Sequence, residues 1–203
     1  MIKSINFLLS KRFPVLILLM SVVLQAQAAA LFTLKGNTDA VKYPEDAELR
    51  LSVLGWSDAD AGMKVISGLN DYKVNGNVEV LKKLLQEQAT KGYLFTKAAT
   101  GHSIKYAWQD TNADGQRMVL LVVPALKTLN PYMWKETNTA LEPYSLLEVR
   151  REGEQFVLKT SLDTAVDISA KGHLELRDFT TAGTFAMLED NTPYYLKSAL
   201  TSQ

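Results

Sequence analysis

Two hydrophobic periods run along this chain, and the change between them falls at Gly92. Before it the spacing is helical. From Asn77 to Lys91, the residues Val78, Val80, Leu81, Leu84 and Leu85 form one apolar stripe, while Lys82, Lys83, Gln86 and Glu87 face away. This predicts a core-facing amphipathic helix, with Asn77 as its N-cap, Lys91 suiting its negative end and Gly92 as its left-handed stop. A weaker helix is predicted upstream from Met63, Ile66 and Leu69, opening on a capping box between Ser57 and Asp60. Gly62 and Gly68 weaken it, because glycine costs a helix backbone entropy. Ahead of both, the stretch Ala47 to Trp56 can extend around Leu49 and Val53. Residues 31–46 read as a leading segment with one short strand.

After Gly92 the period is two. Tyr93–Thr96 is a short strand. In His102–Gln109, Ile104, Tyr106 and Trp108 are expected on one face, with Ser103, Lys105 and Gln109 on the other. Arg117–Val123 is apolar on both faces, which predicts a central strand. Ser145–Arg151 and Glu154–Ser161 form a hairpin across Glu152-Gly153. Val166 and Ile168 pair with Leu174 and Leu176 across Lys171-Gly172. Phe179, Phe185 and Met187 carry the apolar count onward, and Pro193–Leu196 closes it. The fold class is therefore α+β: an antiparallel meander of seven or eight strands with two helices inserted near its beginning. A curled open sheet and a closed barrel satisfy the pattern equally.

The first residues lie outside this pattern. Lys3, Lys11 and Arg12 precede a charge-free apolar run of twelve residues, Phe13–Leu24, and small residues follow through Ala30. This is the layout of a signal peptide, with cleavage expected after Ala28 or, alternatively, Ala30. The run is too short to cross a hydrocarbon core, which takes about 20 residues. Residues 29–203 are then a single domain, expected in the periplasm or secreted and free of a membrane span. Loss of residues 1–28 leaves 19 basic residues against 22 acidic ones, which argues against nucleic acid as a partner. With no cysteine there are no disulfides, so an ordinary apolar core must supply the stability.

Candidate chemistry is sparse. Asp110, Asn112 and Asp114, with Gly115, match the first half of a calcium loop, but the position of its closing bidentate acid is held by Leu121. The same residues spell a tight hairpin turn, which needs no ion; calcium is the one cofactor the sequence suggests. Two histidines, His102 and His173, are too few for a zinc site of three or four nitrogen and sulfur ligands. His102 and Ser103 are adjacent on a strand and point to opposite faces. The long connection from Pro124 to Pro143 carries Tyr132, Met133 and Trp134 together. It reads either as a contact patch for a ligand or partner, or as a plug for one open end of the sheet.

The stretches GHSIKYAW (101–108), GQRMVLLVVPAL (115–126) and SLLEVRREGEQFVLKTSL (145–162), with Trp56-Ser57 ahead of them, resemble an uncharacterised family of exported bacterial proteins. The resemblance spans about residues 47–180 and leaves the aromatic loop at 130–134 and the segment after 183 unmatched. It implies export and a single domain, and it carries no catalytic residue. The expected function is that of a non-enzymatic exported domain that binds a small apolar ligand or an envelope protein partner through Tyr132, Met133 and Trp134. A hydrolase with a dispersed site near His102, Ser103 or His173 is the alternative, and a purely structural envelope protein is the second.

Overall fold

The computed structural model describes residues 30–97, 101–112, 115–126, 132–135, 143–161, 166–169, 172–177, 179 and 185–192. Eight strands close into an antiparallel barrel. In spatial order they are β1 (Phe32–Thr38), β2 (Glu48–Val53), β3 (Gly92–Thr96), β4 (Gly101–Asn112), β5 (Gly115–Val123), β6 (Ser145–Glu152), β7 (Gln155–Ser161) and β10 (Ala186–Asp190), which returns to β1. The meander predicted from the alternating pattern is thus present, and it is closed. Leu34 pairs with Asp190 and Thr38 with Ala186 along the seam. Gly36 lies in that seam, where a Cβ would stand 2.0 Å from the Met187 carbonyl oxygen. Only a residue without a side chain lets β1 and β10 approach this closely. Two further strands, β8 (Val166–Ile168) and β9 (Leu174–Leu176), form a separate hairpin between β7 and β10.

An eight-stranded barrel has an interior just wide enough to be filled by side chains or to hold one small ligand. Here side chains fill it. Leu34, Leu51, Leu94, Met118, Leu120, Leu147, Val149 and Leu158 are among a single cluster of fully buried inward residues. Lys35, Glu48 and Arg50 alternate with them on the exposed side of β1 and β2. A second apolar layer lies outside the barrel. Val119, Leu121, Leu146 and Val157 meet Val65, Leu69, Leu81 and Leu85 from the helices, and Leu174, Leu176 and Phe179 from the β8–β9 side. Strand β5 lies between the two layers, which is why both of its faces are apolar.

The helices are α1 (Ala59–Asn75) and α2 (Val78–Glu87), and both connect β2 to β3. Neither is long and apolar enough to cross a membrane, nor is any other helix among the described residues. Their ends differ from the sequence expectation. The α1 N-cap is Asp58, which accepts from the Ala61 amide at 2.7 Å. That bond is the main reason its carboxyl lies below the usual carboxylate range. Ser57 is engaged elsewhere: its hydroxyl accepts from the Ala107 amide, and its own amide donates to the Ala107 carbonyl. The left-handed stop that does occur ends α1, at Gly76 with φ 70°; α2 ends on an extended Gln88, and Gly92, expected as its stop, already belongs to β3. The inward face of α1 is Gly62, Val65 and Leu69, while Met63 is exposed. Gly68 serves packing, since a Cβ there would stand 2.9 Å from a Leu84 methyl of α2.

Strand β4 departs from strict alternation. Ile104 pairs with Val122 and Tyr106 with Leu121, so Lys105 is an extra residue in a β-bulge. Past it the faces exchange. Ile104 and Ala107 point into the barrel, while Tyr106 and Trp108 join the outer layer. The three residues expected on one face are therefore split. Lys105 uses the bulge to reach the helix end, donating to the Gln88 carbonyl at 3.0 Å and to the Thr90 hydroxyl. The α2 helix ends at Glu87 rather than Lys91, where Gln88 turns extended and its carbonyl is satisfied by the Lys105 cation. The β6–β7 loop falls on Gly153-Glu154, one residue later than predicted, because Gly153 takes the left-handed φ of 65°.

Candidate functional site

The end of the barrel where β5 stops is closed by a cap. Beyond Val123 the chain turns inward through Ala125 and Leu126, both buried. The Leu126 amide donates to the Ser145 hydroxyl at 3.0 Å. The Leu126 carbonyl accepts from Trp134 Nε1 at 3.1 Å, so the one polar atom of the indole is satisfied inside the core. Trp134, 2% exposed, packs against Phe185 with ring centroids 5.6 Å apart. It also forms an antiparallel bridge with Val41. The Lys42 amide donates to the Met133 carbonyl and the Lys135 amide to the Ala40 carbonyl, both at 2.8 Å. Thr38 donates its hydroxyl to the Phe185 carbonyl and accepts from the Ala40 amide.

This cap separates the three aromatic-loop residues chosen from the sequence. Met133 and Trp134 are core. Tyr132 is 81% exposed, and Tyr43 on the facing segment is 56% exposed. Each lies two residues from the Val41–Trp134 bridge, so the antiparallel pairing brings their two backbone segments to the same rim. Tyr43 escaped the sequence reading because its neighbour comes from a segment 89 positions away.

His102 lies beneath the cap, 2% exposed, opposite Leu94 of the interior cluster. Its Nδ1 is 2.9 Å from the Pro124 carbonyl oxygen. Burial pushes its pKa below the ordinary 6.5, against the opposing pull of that carbonyl. Ser103 pairs with Tyr93 and Val123 on the other face. His173 is on the outside of the barrel, stacked on Trp108 with centroids 4.1 Å apart. The fold thus does not bring His102, Ser103 and His173 together.

Of the calcium-loop residues, Asp110 pairs with Arg117, and Asn112 with Gly115 at the end of the β4–β5 ladder. Asp114 lies outside the described residues. Among the described residues no group of three or more His, Asp or Glu is placed to hold a metal.

A charged cluster that the sequence reading missed lies under β9. Glu148, 0% exposed, accepts from Arg117 Nε at 2.7 Å, from Arg150 Nε at 2.8 Å and from the Leu176 amide at 3.0 Å. Arg117 also reaches Glu175 at 3.4 Å. Burial opposes its charge, but the two carboxylates outweigh burial and raise its pKa. The Phe179 ring has Arg150 3.9 Å and Lys159 4.5 Å from its centroid, and Lys159 donates to the Phe179 carbonyl. This is a clasp that holds β8–β9 on the barrel. The available signal was Glu148, an acid inside the otherwise apolar run Leu146–Val149. A separate groove of about 560 Å³ over the seam is lined by polar residues, among them Lys35, Asn37, Glu48 and Glu189.

No family model matches the chain, and no curated protein and no solved structure matches it.

Proposed function

We propose that this chain is an exported, non-enzymatic domain of the periplasm that binds an envelope protein partner through the capped end of its barrel. The supporting observation is the tyrosine pair. Tyr132 and Tyr43 stand out from a cap whose inner side is fixed by Trp134 and its hydrogen bond to Leu126. Tyrosines on a rigid support offer large amphipathic contact area at low entropic cost, and they are enriched at protein interfaces. The packed barrel interior favours a partner met on the outside over a small apolar ligand carried within.

Two measurements test this. Cell fractionation with N-terminal sequencing should find the mature chain outside the cytoplasm, starting at Ala29. A photo-crosslinking residue at position 132 should give a discrete protein adduct in the envelope that weakens in a Tyr43→Ala background. The same probe at Val74, exposed on α1, should not give that adduct. Equal adducts at both positions, or none at 132, would remove the contact.

A further inference from the structure

We propose that His102 is a proton-operated latch on the cap: protonation of its imidazole loosens the plug formed by Ala125, Leu126, Met133 and Trp134 and so alters the rim that carries Tyr43 and Tyr132.

The geometry fixes the state of the ring. The Pro124 carbonyl can only accept, so Nδ1 at 2.9 Å carries the proton. In the neutral ring Nε2 is then bare, and among the described residues it has no hydrogen-bond partner. A bare aromatic nitrogen is tolerable in an apolar end, but a charged N–H is not. Adding a proton places an unpaired donor and a full charge at a residue that is 2% exposed. Lifting the cap gives water access to that donor. Among the described residues, the cap is held by the bonds of Trp134 to Leu126 and of Leu126 to Ser145, and by the pairing of 133–135 with 40–42.

Among the described residues no carboxylate offsets the charge. The elements around His102 carry Tyr93 and Lys97 from β3 and its end, Lys105 and Asp110 from β4 itself, Arg117 from β5, Glu148 from β6 and Lys135 from the cap. Among the described residues, the influences on His102 are burial and the Pro124 carbonyl, with no charged side chain contributing. Because the capped form lowers the pKa from 6.5, it holds fully above that pH and weakens as pH falls below it.

The consequence for binding rests on the contact reading above; the latch does not. With only two histidines, proton–carbon NMR of the whole mature protein resolves the His102 ring directly. Its ring signals should titrate below pH 6.5. In the same step, the protection factor of the Trp134 indole N–H should fall by up to about tenfold per pH unit. In His102→Asn, whose side-chain amide can still donate to Pro124, that protection should stay flat. A ring that titrates without any change at Trp134, or the same loss in His102→Asn, overturns the latch. If the variant fails to fold, the paired wild-type measurements decide alone. The yield of the position-132 adduct should change across the same pH step. If the latch operates and the adduct yield stays constant, the contact reading fails and the latch stands.

Discussion

Leu147 and Glu148 are consecutive residues of β6, and both are wholly shielded from water. Leu147 points into the barrel and meets aliphatic and aromatic side chains. Glu148 points outward and meets two guanidinium groups and a backbone amide beneath β9. One strand thus divides two kinds of interior. The barrel core is non-directional and gains from every buried methylene. The clasp gains from geometry and loses heavily if one partner leaves, because the remaining charge stays buried. The first kind of packing closes a scaffold. The second specifies where an appended hairpin sits.

Four substitutions can break or sharpen this contrast, in decreasing order of effect. Trp134→Ala removes the largest side chain of the plug and its bond to Leu126. It should cost about 3–5 kcal/mol, read as a lower urea midpoint. An unchanged midpoint would mean that the plug is not part of the cooperative core. Arg117→Ala should cost about 3 kcal/mol by leaving Glu148 half-compensated. The contrast predicts a further result: replacing Arg117, Glu148 and Arg150 together by Met, Leu and Met should restore most of that loss. A triple variant as unstable as the single one would show that the charges matter for more than mutual compensation. Gly36→Ala forces a methyl into the β10 backbone at the seam and should cost about 1–3 kcal/mol. Hydrogen exchange should localise the damage to β1 and β10. Gly62→Ala goes the other way. A Cβ there would meet Tyr106 at an ordinary 3.5 Å, so the helix gains about 0.5–1 kcal/mol, visible as a higher melting temperature.

The sequence showed much of the barrel because its pairings are local. Each hairpin from β3 to β7 joins neighbours in the chain, and period-two alternation marks them. Closure was not visible, since it rests on β1 meeting β10 from opposite ends of the domain. The bulge at Lys105 was hidden for a different reason. Ile104, Tyr106 and Trp108 alternate in sequence as in an ordinary strand, and only pairing with β5 exposes the extra residue. Helix ends were misplaced where a distant group is engaged, with Ala107 bonded to Ser57 and Lys105 to the Gln88 carbonyl. At the candidate site, the cluster 132–134 was legible as unusual. Which ring is buried was not, because that depends on Val41, Leu126 and Phe185 arriving from three other segments.

The seam has a consequence for how the chain acquires its shape. A polypeptide emerging N-terminus first presents β1 long before its mate exists. Until Ala186–Asp190 appears, β1 and β7 remain raw flanks, open to pairing with any extended segment nearby. The last strand therefore acts as a zip fastener: a product truncated before it should retain the hairpins yet self-associate, and supplying that strand as a peptide should return it to monomers.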